Sequence, residues 1–286
     1  MQGPDFIIIG AMKCATSTLQ TQLSLQPGIF MTTPKEPNFF SDDEIYELGT
    51  DWYESLFDNV EESAIKGEAS THYTKLPTYP HTVDRIRNYC SPQTRFIYVM
   101  RNPLERLVSH YIHEWSQGNV GQDIDSEVNR NSEFIDYSKY YMQLQPYIDT
   151  FGPDNILPVF YERLIKWPQP ELERVTSFLG YTSKSSWKDS ESKKNVSSER
   201  IRKFPGYDFL IKNPIMTTIR RNIIPTSIRK SVKSHLSMDT RPQLSSGTRQ
   251  RVIAEIDADL EKLSSYLGMS LNCENFSQQV LIPGHD

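Results

Sequence analysis

Two patterns of apolar positions alternate along the chain, short unbroken runs and longer stretches with helical spacing. Phe6 to Ile9 is an unbroken run that breaks at Gly10, and Arg95-Phe-Ile-Tyr-Val-Met100 is a second. Runs this short, bounded by loop-forming residues, predict buried strands. The pattern predicts strands near 5–10, 64–68, 94–100 and 155–160, and helices near 16–26, 78–90, 103–116, 136–151, 168–180 and 247–267. The helical stripes are clearest at Leu104, Leu107, Val108, Tyr111, Ile112 and Trp115, and again at Val252, Ile253, Ile256, Leu260, Leu263 and Leu267. Asn102 suits an N-cap and Pro103 the first helical position. His110 and His113 fall on the polar side of their stripe, so solvent exposure is expected for both. Ser109 lies off the apolar face. Buried strands alternating with helices predict an α/β fold with a central parallel sheet and helices on both faces. In such sheets ligands sit beyond the carboxyl ends of the strands.

Two strand ends carry candidate chemistry. After Gly10 comes a loop of small residues with one cation, Lys13, and then Thr16, Ser17 and Thr18 open a helix. A strand–loop–helix of this kind aims backbone N–H groups and a helix N-terminus at one point, which suits phosphate or sulfate. The ordinary alternative is a plain capped turn with Thr16 or Ser17 as N-cap. The loop is P-loop-like but not a Walker A loop, because its lysine comes three residues too early. The second strand ends in Arg101, where a magnesium-using enzyme would place an aspartate. A guanidinium there meets an anion directly, unless it only pairs with a nearby carboxylate. Both cations follow strand ends, so one anionic ligand can bridge them.

Together these segments resemble the sulfotransferases that use 3′-phosphoadenosine 5′-phosphosulfate (PAPS). Lys13-Cys-Ala-Thr-Ser-Thr18 resembles the family's 5′-phosphosulfate loop, and Arg101-Asn-Pro-Leu-Glu-Arg-Leu-Val-Ser109 its 3′-phosphate motif. Pro34-Lys-Glu-Pro-Asn-Phe-Phe40 resembles the Glu-Pro-x-Phe-Phe segment of the heparan sulfate branch. Asp51 to Phe57, Gly67-Glu-Ala-Ser-Thr-His-Tyr73, Ile156 to Leu164 and Phe178-Leu-Gly180 follow in the family order. The resemblance covers roughly residues 4–180 well and the rest loosely. It implies sulfuryl transfer from PAPS to an acceptor hydroxyl on a sugar, lipid or small metabolite, with PAP as product and no metal. Lys13 would stabilise charge on the leaving oxygen. Cys14, Ala15, Thr16, Ser17 and Thr18 would hold the 5′-phosphosulfate, and Arg101 and Ser109 the 3′-phosphate. Glu36 matches the branch's base, the ordinary alternative being that it pairs with Lys35 or another cation and only fixes a loop. His72 is the second candidate because imidazole is the better base at neutral pH. Two departures stand out. Ala69 occupies the place of the branch's lysine, so that cation is lost or supplied elsewhere. No Lys-Gly-Arg loop occurs late in the chain, where Asp239-Thr-Arg-Pro242 offers Arg241 as a substitute.

Composition adds limits. The chain has 286 residues, of which 37% are hydrophobic and 23% charged. One sulfotransferase domain over 1–286 is expected, with a cofactor core at about 4–180 and a helical part at about 181–286. A net charge of −5 argues against nucleic acid or acidic membrane as partner. Basic residues gather in Lys193 to Lys233, mostly as a solvated face, with a few able to line an anionic groove. No apolar run approaches the ~20 residues of a membrane span, and the first strand begins too early for a signal peptide. The expectation is a cytoplasmic, bacterial enzyme, or the trimmed domain of an anchored one. Cys14, Cys90 and Cys273 imply no disulfide framework. Cys14 is expected to fill the loop rather than react, although helix N-termini lower thiol pKa values. The aromatic stretch Tyr137 to Tyr147 is a candidate lining for an acceptor pocket, with core packing as the ordinary reading. Two other classes stay open, a nucleotide kinase and a non-catalytic nucleotide-binding protein. The misplaced lysine and Arg101 weigh against the first, and the Glu36 segment against the second.

Overall fold

The computed structural model describes residues 3–189, 238 and 240–282. Strands β1 (Phe6–Gly10), β2 (Ile29–Met31), β3 (Ile65–Ala69), β4 (Arg95–Met100) and β5 (Ile156–Phe160) form one parallel sheet in the order β2-β3-β1-β4-β5. Four of the five lie where the apolar runs predict. β2 is three residues long and gives no readable period. Every residue of β1 is buried, as is every residue of β4 after Arg95, so both faces of the sheet are covered. The observed class is the expected one, α/β with a parallel central sheet.

The helices before β5 are α1 (Thr16–Ser24), α2 (Asp43–Tyr46), α3 (Thr50–Ser55), α4 (Thr82–Tyr89), α5 (Pro103–Gln117), α6 (Ile124–Arg130), α7 (Glu133–Asp136) and α8 (Tyr140–Phe151). After it come α9 (Tyr161–Lys166), α10 (Pro168–Phe178), α11 (Ser246–Leu267) and α12 (Phe276–Gln279). From β1 the chain moves outward to β2 and returns through β3. It then crosses β1 to reach β4 and continues to β5. The winding direction therefore reverses between β1 and β4. That reversal opens a crevice beyond their carboxyl ends, the ligand position of open α/β sheets.

α5 begins as its sequence predicts, with Pro103 in the first turn and the Asn102 side chain accepting from Leu104 N at 3.1 Å and Glu105 N at 3.2 Å. Its exposure departs from expectation. His110 and Ser109 are buried, not solvent-facing, and His113 is half-buried. The cause lies outside the helix. The α6–α7 segment folds across the polar side, where His110 meets Phe134 at 4.7 Å and Tyr137 at 5.7 Å between ring centroids. Arg106, fully buried, donates to Ser138 Oγ and to Phe134 O, each at 2.7 Å.

The late helix α11 packs beside α8. Its Asp259 accepts from Tyr141 N at 2.8 Å and Met142 N at 2.9 Å, in the first turn of α8. Asn102 Nδ2 donates to Cys273 O at 2.9 Å, tying the C-terminal part to the turn that follows β4. The basic run Lys193 to Lys233 lies outside the described residues. Among the described residues no helix is long and apolar enough to cross a membrane.

Candidate active site

The loop after β1 is shaped by backbone. Gly10 has φ 153, and a Cβ there would collide with Thr74 Oγ1, which donates to Ile9 O at 2.8 Å. A glycine is therefore required where the loop leaves the sheet. Lys13 and Ala15 both have left-handed backbone, with φ 70 and 69. Left-handed residues alternating with others turn successive N–H groups inward, which makes a concave anion nest. α1 starts at Thr16 with Ala15 as cap residue and no side-chain cap bond. Neither Thr16 nor Ser17 caps the helix, contrary to the ordinary reading of the turn. The first N–H groups of a helix have no intrahelical partner, and here no hydroxyl takes them up. An anion fits that environment. Cys14 is buried, and burial pushes its thiol up to about 12, so it fills the loop as an inert thiol.

Arg101 leaves β4 beside this loop. Its backbone N donates to Tyr140 Oη at 3.3 Å, and Tyr140 Oη donates to its carbonyl at 2.7 Å. Cys14 Sγ is 3.9 Å from the same hydroxyl, so Tyr140 holds the loop and the turn together. The Arg101 guanidinium lies 4.5 Å over the Tyr161 ring and 3.4 Å from Glu105 Oε2. Arg241 reaches the same Glu105 oxygen at 2.7 Å. Two guanidinium groups thus converge on one partly exposed carboxylate. Ser109, two turns along α5, is buried.

The second cluster stands at the ends of β2 and β3. Glu36 has φ 58, and its N donates to Ala69 O at 3.0 Å, so the loop after β2 is fastened to β3. Further ties run from Asn38 N to Ser70 Oγ at 3.1 Å and from Phe40 N to Tyr73 Oη at 3.3 Å. Phe39 and Phe40 are buried. Glu36 Oε1 accepts from Lys35 Nζ at 2.6 Å and Thr71 Oγ1 at 3.3 Å. Burial pushes its carboxyl up, but the Lys35 charge and hydrogen bond, joined by the charges of His72 and Lys75, together hold it below the usual range. Glu36 is therefore a carboxylate at neutral pH. His72 sits in the 3₁₀ turn Thr71–Thr74, with Nδ1 2.9 Å from Asp42 Oδ2 and its ring stacked on Tyr79 at 4.8 Å. Burial and then the Lys75 charge hold its pKa below the usual value, so the ring is neutral at pH 7.

Lys13 and Arg101 follow the carboxyl ends of β1 and β4 and flank the crevice, while Glu36 and His72 follow the ends of β2 and β3. Three residues were not singled out by sequence. Asp42 orients His72, and Tyr140 bridges the two anion segments. Lys75 follows the 3₁₀ turn, half-buried, and its charge is felt by both Glu36 and His72. It brings a cation to the side of the sheet where Ala69 carries none. A lysine just past a Ser-Thr-His turn was the available signal.

The family model described as a sulfotransferase domain matches residues 3–208. Heparan sulfate glucosamine 3-O-sulfotransferase 3A1 of Mus musculus is 31% identical over 188 residues, 63% of this chain and 46% of that protein. Heparan sulfate glucosamine 3-O-sulfotransferase 6 of Homo sapiens is 29% identical over 185 residues, 62% of this chain and 52% of that protein. The chain spans about half the length of these curated relatives. Among solved structures, a sulfotransferase from Alicyclobacillus acidocaldarius superposes with a TM-score of 0.66 at 21% identity, covering 94% of this chain and 97% of that one. Mouse sulfotransferase SULT7A1, complexed with PAP, gives 0.51 at 16% identity, covering 96% and 88%. These two likenesses concern the fold. The family match extends over the anion loop, the arginine turn and the Glu36 segment alike, and the chain belongs to the sulfotransferase domain family.

Proposed function

We propose that the protein transfers a sulfuryl group from PAPS to an acceptor hydroxyl, releasing PAP. The observation that carries this reading is the pairing of two cation-bearing turns at the switch point between β1 and β4. A nucleotide with phosphates at both 5′ and 3′ positions offers one anion to each. The uncapped start of α1 and the nest at Lys13 and Ala15 suit the 5′-phosphosulfate, with the hydroxyls of Thr16, Ser17 and Thr18 in support. Arg101 suits the 3′-phosphate, with Ser109 on the helix α5 that follows it and Arg241 closing over it in place of Glu105. The relatives named for heparan sulfate and the PAP complex of the mouse structure agree with donor and reaction class.

PAPS supplies a sulfuryl group already bonded to a phosphate leaving group, so no metal is needed for activation. The chain's own residues do the rest. Lys13 meets the charge that grows on the leaving oxygen. Glu36, ionised at neutral pH, takes the proton of the acceptor hydroxyl as the new O–S bond forms. One observation favours a second reading of the base. The Asp42–His72 pair has the form of a carboxylate-oriented histidine, with Nε2 the open nitrogen when Nδ1–H faces Asp42. The test is transfer from labelled PAPS in magnesium-free buffer, with Glu36→Gln and His72→Asn compared side by side. Dependence on magnesium, or use of ATP instead, would return the protein to the kinase class.

A further inference from the structure

A cavity of about 330 Å³ is lined in part by Lys75 and Tyr79, which adjoin the candidate bases, while neither Glu36 nor His72 is itself in its wall. Lys75 and Tyr79 belong to the segment carrying Thr71 and His72. Thr71 Oγ1 touches Glu36 Oε1 at 3.3 Å, and Tyr79 stacks on the His72 ring at 4.8 Å. The opposite wall comes from α5 and the α6–α7 segment, through Glu114, Asn119, Asn131, Glu133 and Tyr137. The volume lies at the low end of the ~300–1,000 Å³ typical of small-molecule sites, which suits one ring rather than a buried chain.

The lining has a definite chemistry. Glu114 and Glu133 are two carboxylates facing one ammonium, Lys75. Glu114 is held down at about 2, by His110 3.6 Å away and by the Asn119 amide at 2.7 Å. Burial pushes His110 down to about 3, so it adds no charge at neutral pH. Asp42, behind His72, adds a further negative charge nearby. A polyanionic acceptor would meet like charge across this wall. A wholly apolar acceptor would strip water from the carboxylates and amides without replacing its hydrogen bonds. Ring hydroxyls would satisfy the carboxylates and amides, while the half-buried Tyr79 ring meets the C–H face of a sugar.

We propose that this cavity is the acceptor pocket and that it selects an uncharged, polyhydroxylated ring, a sugar unit, over a sulfated glycan. The proposal rests on the sulfuryl-transfer reading for the word acceptor, but sugar binding itself does not require transfer. The test is saturation-transfer NMR on the full chain with PAP present. The probes are the methyl glycosides of glucose, galactose, mannose and N-acetylglucosamine, each against its sulfated counterpart. The expected result is binding of at least one uncharged glycoside, with its sulfated form about tenfold weaker, about 1.4 kcal/mol. Tyr79→Ala should abolish the signal, and Glu133→Gln, an exposed position, should weaken binding and narrow the discrimination. Sugar bound with no sulfate transferred from labelled PAPS supports the pocket and overturns the reaction. PAP bound with no glycoside bound overturns the pocket and leaves the reaction standing. Equal binding of sulfated and unsulfated forms, or indifference to both variants, also overturns it.

Discussion

The two halves of the carboxyl-end rim are built by different means. On the β1–β4 side the site is made of main chain. A glycine that cannot carry a Cβ, two left-handed residues and an uncapped helix start create the anion nest, and Arg101 is fixed through its backbone by Tyr140. On the β2–β3 side the site is made of side chains from several segments, with Thr71 and Asp42 hydrogen-bonded to Glu36 and His72, and burial with Lys35 and Lys75 governing their charge states. Main-chain anion sites depend on contiguous sequence and tolerate little change. Side-chain networks can be rewired one residue at a time. Under the proposed function, the donor falls to the first half and the proton and acceptor to the second.

The sharpest way to break that division is to remove each base. Glu36→Gln should keep the fold and PAP affinity, and lower the transfer rate by roughly 10²–10⁴-fold. His72→Asn should then cost little. The pH profile separates the two as well. The surrounding cations, Lys35 foremost, together outweigh burial at Glu36, so with a Glu36 base the acidic limb of kcat/KM should lie below the ordinary carboxylate range. A His72 base would put that limb higher, although still below ~6.5, since burial lowers it. Loss of turnover in His72→Asn with Glu36→Gln nearly intact would reassign the base.

Lys13→Ala tests the other half. It should lower kcat by roughly 10²–10³-fold, the usual loss when one transition-state contact is removed. PAP affinity should fall much less, because the loop N–H groups and Arg101 remain. An unchanged kcat would remove Lys13 from the chemistry.

The smallest effect concerns stability. Glu68 on β3 is fully buried, and burial pushes its carboxyl up to about 8 despite the Ser70 hydroxyl 3.5 Å from its Oε2. A folded-state pKa above the unfolded one means that the native state holds the extra proton. The contribution of Glu68 is therefore complete below about 4.5 and is lost as pH rises through about 8. Urea midpoints measured from pH 5 to pH 9 should decline across that window, and Glu68→Gln should flatten the decline. An unchanged slope in the variant would mean that Glu68 is ionised in the fold.

What could be read from sequence follows the same division. The two anion turns were legible because each lies in one contiguous stretch, a buried run, a break and a cation. The Asn102–Pro103 helix start was legible because capping is local. β2 was not, since three residues carry no period. His110 was placed in solvent because a helix's own stripe says nothing of a second layer folded over its polar side, as α6 and α7 are. Thr16 looked like a cap, but the left-handed Ala15 took that position and left the helix start open. Lys75 and Asp42 act through neighbours that only the sheet order brings close, so no local pattern announces them.

The central claim is that the switch point between β1 and β4 holds a nucleotide by its 5′ and 3′ anions together. Calorimetric titration in magnesium-free buffer tests it directly, with PAP set against ADP and wild type against Arg101→Ala. A charge-assisted bond to the 3′-phosphate is worth about 1.5–3 kcal/mol, or roughly 10–100-fold in affinity. PAP should bind wild type tighter than ADP by that margin, and Arg101→Ala should bring PAP down to the level of ADP. Equal affinity for PAP and ADP in wild type, or a PAP affinity indifferent to Arg101, would contradict the account.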